Sequence, residues 1–413
     1  MSLQDALAAL AKRYPGESGA RQPVHTVYGG AQLFKSDTTV KLGALGLRAL
    51  NEHGGTPAEF ARAIGISEAL AETIHARVVD KLKREPVEDF RIDFEDGYGN
   101  RPDDEEDGHA AAAAREVATG MKNGTLPPFL GIRIKTFSQE LMPRAVRTME
   151  IFLQTLMESA GALPPWFVVT LPKIQLVEQV TALADIFDAL EPKLGLPAGA
   201  LKMEFMIETT QVIAILQELP DGARGRAVAA HFGTYDYTAS CNITAAHQRM
   251  DHPACDHARH AMQVAYAGTG LWLSDGATNI MPIGDRATIH AAWRLHVDHI
   301  RHSLINAYYQ GWDLNPAQLP TRYAAVYSFF LEGLAAATER LRNFIQKAGQ
   351  ATLVGDVFDD AATGQGLLNY FLRALNCGAI TEEEALATGL TLDELRSRSF
   401  VKILKGRRTA AAR

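Results

Sequence analysis

The sequence predicts an α/β fold, a TIM (β/α)8 barrel, because short strand-like segments alternate along it with longer amphipathic segments. Alternation of this kind is typical of parallel strands that are joined by crossover helices. Eight strand-like segments begin, in chain order, at Pro23, Phe90, Phe129, Trp166, Leu201, Ala227, Leu271 and Gly311. Eight such units over about 300 residues match the usual size of one TIM barrel.

Helical patterns flank and interrupt the predicted barrel. Residues 1–22 are Ala/Leu-rich at first and are predicted to form an N-terminal helical segment. Residues 23–348 are the predicted barrel, which carries a helical insertion over 51–84. In that insertion Thr56-Pro-Ala-Glu59 has the pattern of a capping box with proline at the first helical position. Residues 349–413 are predicted to be a C-terminal helical extension that caps the barrel or contacts a neighbouring subunit.

Several amphipathic segments within the predicted barrel have the length and periodicity of crossover helices. Three of them span Leu141 to Ala160, Leu176 to Leu190 and Thr209 to Leu219. A longer one, from Tyr323 to Ala348, is expected to be the last helix of the barrel.

The composition is that of an ordinary globular protein with a large core, at 47% hydrophobic and 22% charged residues. The net charge of -7, without a long Lys/Arg run, argues against nucleic acid as a partner. The three cysteines are widely spaced, which fits a reducing compartment. The N-terminus lacks the apolar core of a signal peptide, and no run of about 18 apolar residues occurs. We therefore expect a cytoplasmic protein that does not engage a membrane.

Several predicted strands end in acidic side chains. Glu95 and Asp96 follow the second strand and precede a glycine turn, Glu208 ends the fifth strand, and Asp236 ends the next unit. Active sites of TIM barrels lie at the carboxyl ends of the strands. Because Glu208 and Asp236 are expected on adjacent strand ends, they can share one cation. Mg²⁺ suits such a pair, since this hard ion takes a few carboxylates and fills its remaining positions with water or substrate oxygens.

Other charges at this rim have expected roles in catalysis. Arg133, at the end of the third strand, offers a planar cation that can hold a substrate carboxylate or stabilise a developing enolate. Glu95 and Asp96 can orient metal-bound waters or act as acid or base. The alternative is that these charges simply pair with one another around the mouth of the barrel.

The chain resembles the citrate lyase beta-subunit and HpcH/HpaI aldolase family, whose members are relatives of malate synthase. The motifs that carry the resemblance follow the family's order along the chain: Asp93-Phe-Glu-Asp96 after strand two, Arg133 on strand three, Leu171-Pro-Lys-Ile174 after strand four, Ile207-Glu-Thr209 after strand five, Gly233-Thr-Tyr-Asp236 after strand six and Asn315-Pro-Ala-Gln318 after the last strand. The resemblance covers the barrel from Asp93 to Gln318 and leaves out the insertion and the tail.

The resemblance implies a phosphoenolpyruvate/pyruvate-type TIM barrel with Mg²⁺, or Mn²⁺, bound by Glu208 and Asp236. It implies an Mg²⁺-dependent carbon–carbon lyase that acts next to the carbonyl of a small oxo or hydroxy acid, or of its acyl thioester, through an enolate. Arg133 would bind the substrate, a CoA thioester is a possible one, and a homo-oligomer, trimeric or hexameric, is expected. Three departures leave the substrate open: Asn315 in place of the family's histidine, Gly97 in place of its usual alanine, and the unusual continuation Tyr237-Thr-Ala-Ser-Cys-Asn242 after the sixth strand.

Competing hypotheses also follow from the sequence. Lys173 or Lys135, both at strand ends, could form a Schiff base as in another class of aldolase. The chain could also be a non-catalytic barrel that binds a carboxylate ligand or serves as a subunit scaffold. His231, inside a strand, is more often a core histidine than a catalytic one. A dense group, His252, Cys255, Asp256, His257 and His260, has spacings that a zinc site could use, although no second ligand pair accompanies it.

Overall fold

In the computed structural model, the eight expected strands form a closed barrel. The structure describes residues 2–16, 19–346, 352–354, 357–359, 361–397, 399, 402–403 and 406–407. Each strand pairs in parallel with the next one in the chain, and the eighth pairs in parallel with the first. The strands are β1 (His25–Gly30), β2 (Asp89–Asp93), β3 (Phe129–Arg133), β4 (Val168–Leu171), β5 (Lys202–Ile207), β6 (Ala227–Phe232), β7 (Trp272–Ala277) and β8 (Gln310–Asp313). The predicted TIM barrel is confirmed.

Helices precede the barrel, fill its connections and follow it. The helices up to β5 are α1 (Leu3–Arg13), α2 (Thr38–Ala49), α3 (Pro57–Ile64), α4 (Ala71–Arg84), α5 (Asp103–Asn123), α6 (Met142–Ala160) and α7 (Val177–Lys193). Those after β5 are α8 (Thr210–Ile213), α9 (Leu219–Gly222), α10 (Thr234–Ser240), α11 (Pro253–Tyr266), α12 (Arg286–Ile305) and α13 (Leu319–Gln346). Within the described part of the chain, no helix combines the length and the apolar character needed to cross a membrane.

Two helical regions differ from the expectation. Helices between β1 and β2 begin already at Thr38, well before the predicted insertion at 51–84. The segment from Thr209 to Leu219, predicted as one crossover helix, is instead split between the short helices α8 and α9. Between them the backbone makes i to i−3 bonds, such as Ile215 N–H to Val212 O at 3.1 Å, so the α-helical ladder is interrupted.

The segment after α13 contains strands as well as helices. Two three-residue strands, β9 (Thr352–Val354) and β10 (Val357–Asp359), pair antiparallel, and α14 (Ala361–Asn376), α15 (Glu382–Leu386) and α16 (Leu392–Arg396) follow. Capping boxes at Thr381 and Thr391 begin α15 and α16. The predicted boundary between residues 348 and 349 lies outside the described residues. The division of the chain into three parts therefore stays a prediction.

Alternation along the strands separates two environments. On β5, Met203, Phe205 and Ile207 are fully buried in the main hydrophobic core, on the face toward the helices. Glu204 and Met206 alternate with them and face the interior of the barrel, where Glu204 meets Arg91 of β2 across the barrel at 2.6 Å. This interior is therefore more polar than the branched aliphatic filling of most TIM barrels.

Asp313 joins the elements at the seam where β8 closes the barrel against β1. It lies 2.7 Å from Nδ1 of His25 on β1 and 3.1 Å from Nε2 of His296 on α12. Arg322 of α13 donates to both of its oxygens, at 2.8 to 3.1 Å. All four side chains are buried, so the charge of the Asp313 carboxylate is balanced by these protein groups.

We predict that Asp313→Ala lowers the free energy of unfolding by about 3–5 kcal/mol, because it leaves a buried guanidinium unpaired. Urea denaturation followed by circular dichroism measures this. Asp298→Ala is the matched control, since Asp298 pairs with Arg294 on the exposed face of α12 and should change stability by less than about 1 kcal/mol. Equal effects of the two substitutions would contradict a special role for the seam.

Candidate active site

The turn after β2 is organised by Asp93. Its two carboxylate oxygens accept the backbone N–H groups of Glu95 at 3.0 Å and of Gly97 at 2.7 Å. A Cβ atom at position 97 would lie 2.5 Å from Oδ2 of Asp93, so the turn has no room for a side chain there. The glycine at position 97 is thus explained by how tightly this turn folds over Asp93.

Arg133 is held at the end of β3 by this turn. Its Nε and Nη2 donate to the two oxygens of Asp93 at 2.7 and 2.5 Å, and its Nη1 lies 3.2 Å from Oε2 of Glu95. The rings of Tyr28 and Trp312 lie 4.8 and 5.6 Å from its guanidinium carbon. The guanidinium is therefore fixed by a bidentate ion pair and by aromatic contacts, and only Nη1 is not engaged by Asp93.

Glu208 follows β5 directly and is 1% exposed. Its Oε1 accepts the backbone N–H of Lys173 at 2.8 Å. Gly233, after β6, packs so closely that a Cβ atom there would lie 2.5 Å from Oε2 of Glu208. The carboxyl group is thus held in place from two neighbouring strand ends.

Lys173 links the acidic side chains of the rim. Its backbone has a φ of 51°, a left-handed conformation that is uncommon for residues other than glycine. Its Nζ forms ion pairs with Glu95, with Asp96 at 2.9 Å and with Asp236 at 3.7 Å. With the backbone contact to Glu208, Lys173 touches four carboxyl groups, Glu95, Asp96, Glu208 and Asp236, that follow three different strands. We call them the carboxylate cluster.

The proton affinities of the carboxylate cluster differ with burial. Burial, and next the charge of Asp236, raise the pKa of Glu208 to about 8, although Arg133 and Lys173 oppose the shift. Burial likewise raises the pKa of Glu95 against the same two cations. The more exposed Asp96 is also partly buried, yet its hydrogen bonds with Lys173 lower its pKa. The buried part of the carboxylate cluster therefore contains more acidic groups than Lys173 and Arg133 neutralise.

This donor set fits a hard divalent cation. Glu208 and Asp236 supply carboxylate oxygens, and burial together with the charge of Asp236 raises the pKa of Glu208, so a further positive charge beside the pair would favour its ionised form. No group of three or more His, Cys, Asp or Glu side chains arranged to hold a metal ion is found among the described residues. A cation held by these two carboxylates would need further oxygen ligands from water or from a substrate, as Mg²⁺ usually does.

All of the residues predicted for the site meet at this rim. Two aromatic residues, Tyr28 of β1 and Trp312 of β8, were missed because their contact with Arg133 joins the two ends of the barrel sequence. Asp93 was noticed only as part of a motif. Among the competing candidates, Lys135 is bound to Glu106 at 3.0 Å, and His231 lies deeper in the barrel at 3.1 Å from Glu204.

Comparisons with known proteins agree with the fold. Residues 3–403 match the family described as Domain of unknown function (DUF6986), and the chain belongs to this family. No curated protein matches the chain.

Among solved structures, a citrate lyase from Burkholderia xenovorans LB400 has a TM-score of 0.60 at 19% identity and covers 89% of this chain and 97% of its own. A Haloferax volcanii malate synthase solved with glyoxylate has a TM-score of 0.53 at 13% identity and covers 90% and 99%. The CitE protein of Mycobacterium tuberculosis, solved with magnesium, acetoacetate and coenzyme A, has a TM-score of 0.51 at 15% identity and covers 87% and 99%. The predicted resemblance is confirmed at the level of the fold.

We predict that, in a chelator, the stability of the protein falls as the pH rises from 4.5 to about 8. Over this range the unfolded chain has released the proton of Glu208 while the folded protein still holds it, so the folded state loses its advantage. Urea denaturation across pH should show a shallower decline for Glu208→Gln. The exposed Glu218→Gln is the control and should follow the unmodified protein. Parallel profiles for all three proteins would contradict the assignment.

Proposed function

We propose that the protein is an Mg²⁺-dependent carbon–carbon lyase that acts on a small oxo or hydroxy acid, or on its acyl thioester. The observation that carries the proposal is the meeting of Glu208, Asp236, Glu95 and Arg133 around Lys173 at the carboxyl end of the barrel. Further support comes from folds of the same class, one of which was solved with magnesium, acetoacetate and coenzyme A.

In this proposal Glu208 and Asp236 hold the Mg²⁺ ion. When bound, the ion supplies positive charge that stabilises an enolate oxygen and lowers the pKa of Glu208 into its ionised range. Lys173 keeps Glu208 oriented through its backbone N–H and balances the charge of Asp236 through its side chain.

Arg133 is the proposed anchor of the substrate. Asp93 engages its Nε and Nη2, which leaves Nη1 as the nitrogen that can meet a carboxylate or enolate oxygen. The rings of Tyr28 and Trp312 pack together beside the guanidinium, and Arg133 is buried, so its charge acts in an environment with little water. A fixed charge of this kind requires little reorganisation during the reaction.

Glu95 is the proposed proton carrier, because its pKa is raised while that of Asp96 is lowered. In the cleavage direction, the Glu95 carboxylate takes the proton of the substrate hydroxyl, and the oxygen's electron pair forms a carbonyl. The carbon–carbon bond breaks, and its electron pair passes to the second fragment as an enolate. The proton on Glu95 then returns to the enolate carbon.

The Schiff-base alternative receives no support from the surroundings of Lys173. Burial alone would lower the pKa of this amine, but the charges of Glu95 and Asp96 raise it above its ordinary value, so the amine stays protonated and is not nucleophilic. The non-catalytic alternative, a carboxylate-binding barrel or scaffold, is favoured by the ion pairs that already occupy Lys173. It predicts saturable binding of an acid without product.

We predict that Mg²⁺ binds with measurable heat in calorimetry when oxaloacetate is present, and that Glu208→Gln and Asp236→Asn each weaken this binding by about tenfold or more, since each removes one charged ligand. Asp221→Asn is the control, because Asp221 pairs with Arg13 on the surface and should leave binding unchanged. Equal Mg²⁺ affinity in all four proteins would exclude the proposed metal site.

We predict Mg²⁺-dependent cleavage of at least one free acid or thioester in a panel of oxaloacetate, malyl and citramalyl thioesters and 2-oxo acid aldols. Arg133→Met should lower kcat by roughly a hundredfold, because a fixed donor to the enolate is lost. Borohydride should trap no adduct on Lys173. Turnover that survives chelation, or a trapped adduct, would favour the Schiff-base mechanism, and binding without product would favour the scaffold.

A further inference from the structure

A cavity of about 370 Å³ opens at the end of the barrel opposite the candidate active site. It is lined by residues at the start of the strands, among them Asp89 of β2, Phe129 of β3, Lys202 of β5 and Trp272 of β7. The carboxylate cluster, by contrast, follows the ends of the strands. We call this space the amino-end cavity, and its volume is in the range of small-molecule sites.

Three aromatic rings form one wall of the amino-end cavity. The ring centroids of Phe129, Trp166 and Trp272 lie 5.6, 5.7 and 5.8 Å from one another. Trp166 is 53% exposed and has a φ of 56°, which is a strained conformation for so large a side chain. An exposed tryptophan that is held in strain beside two other rings forms an aromatic surface that is open to a ligand.

The deep end of the amino-end cavity is charged. Arg91 forms ion pairs with Asp89 and, at 2.6 Å, with Glu204, so two carboxylates share one guanidinium. His231 also lies there, with its Nε2 at 3.1 Å from Oε2 of Glu204 but without a hydrogen bond among the described residues. All four side chains are at least nine-tenths buried. The deep end therefore holds two buried carboxylates and one guanidinium, with the His231 ring beside Glu204.

Both features select the same kind of ligand. The faces of aromatic rings attract organic cations, tryptophan most strongly, and the two carboxylates that share Arg91 supply negative charge at the deep end. Lys202 also lines the cavity, and its positive charge would repel a cation. Its Nζ, however, lies at the edge of the amino-end cavity, 3.4 Å from the carbonyl oxygen of Gly225. We propose that the amino-end cavity is a second ligand site, separate from the candidate active site, and that it takes a small organic cation such as a quaternary ammonium or an apolar amine.

The proposal is tested by calorimetry on the full chain with three probes of equal shape: choline, its neutral isostere dimethylbutanol and the anion dimethylbutyrate. Choline should bind saturably, and each of the other two should bind at least about tenfold more weakly, since they lack the cation. This comparison needs no substitution, so it does not depend on how a variant folds. Absence of saturable choline binding, or tighter binding of the anion, would overturn the proposal.

Variants then locate the site. Trp166→Ala should weaken choline binding by about tenfold and Trp166→Phe by less, because the smaller ring keeps part of the cation–π attraction. Lys202→Met should strengthen it about threefold, since a like charge is removed. Leu176→Ala is the control, because Leu176 is exposed after β4 at the other end of the barrel. Choline binding that is unchanged in Trp166→Ala, or weakened in Lys202→Met, would refute the site.

Neither result bears on Mg²⁺ binding by the carboxylate cluster, so this proposal and the proposed function fail independently.

Discussion

The candidate active site depends on how acidic groups are kept out of water at the end of a closed barrel. Four carboxyl groups meet around Lys173, and the permanent cations near them are Lys173 itself and Arg133. Removing charges from water is costly unless each is paired with good geometry. The inner carboxyl, Glu208, responds by holding its proton up to a pH of about 8. A cation that binds beside Glu208 would favour release of that proton. Cation binding would then be coupled to ionisation of Glu208, the proposed ligand of the cation.

Backbone features at the strand ends make this crowding possible. The left-handed conformation of Lys173 directs its N–H to Glu208 while its side chain extends toward Glu95 and Asp96. Gly233 leaves room for the same glutamate. Residues in sparsely populated conformations persist only where the surrounding structure compensates for them, and they are concentrated at functional sites. Here the compensation is a set of charged hydrogen bonds, so local strain and electrostatics are part of one arrangement.

The sequence was informative where the relevant pattern is local. Alternation along strands predicted the eight-stranded barrel, and the strand ends identified Glu95, Asp96, Arg133, Glu208 and Asp236, which do meet at one rim. The break between α8 and α9 was not predicted, because a short apolar segment has helical periodicity whether or not its hydrogen-bond ladder continues. The aromatic cover of Arg133 and the amino-end cavity were also missed, since both depend on contacts between strands that are far apart in the chain. No local signal marks a lysine for a left-handed backbone.

The two ends of the barrel are separated by the polar layer of Asp89, Arg91 and Glu204, to which Thr170 donates at 2.5 Å. Aliphatic side chains of similar volume would fill this layer with at least equal stability, since buried ion pairs rarely exceed well-packed apolar residues in their contribution. Stability alone therefore does not account for charges in the middle of the barrel. Asp89, Arg91 and Glu204 of this layer also line the amino-end cavity, one wall of which is formed by aromatic rings. Its charge is thus available from the amino end of the barrel, while the carboxylate cluster is a separate centre at the other end.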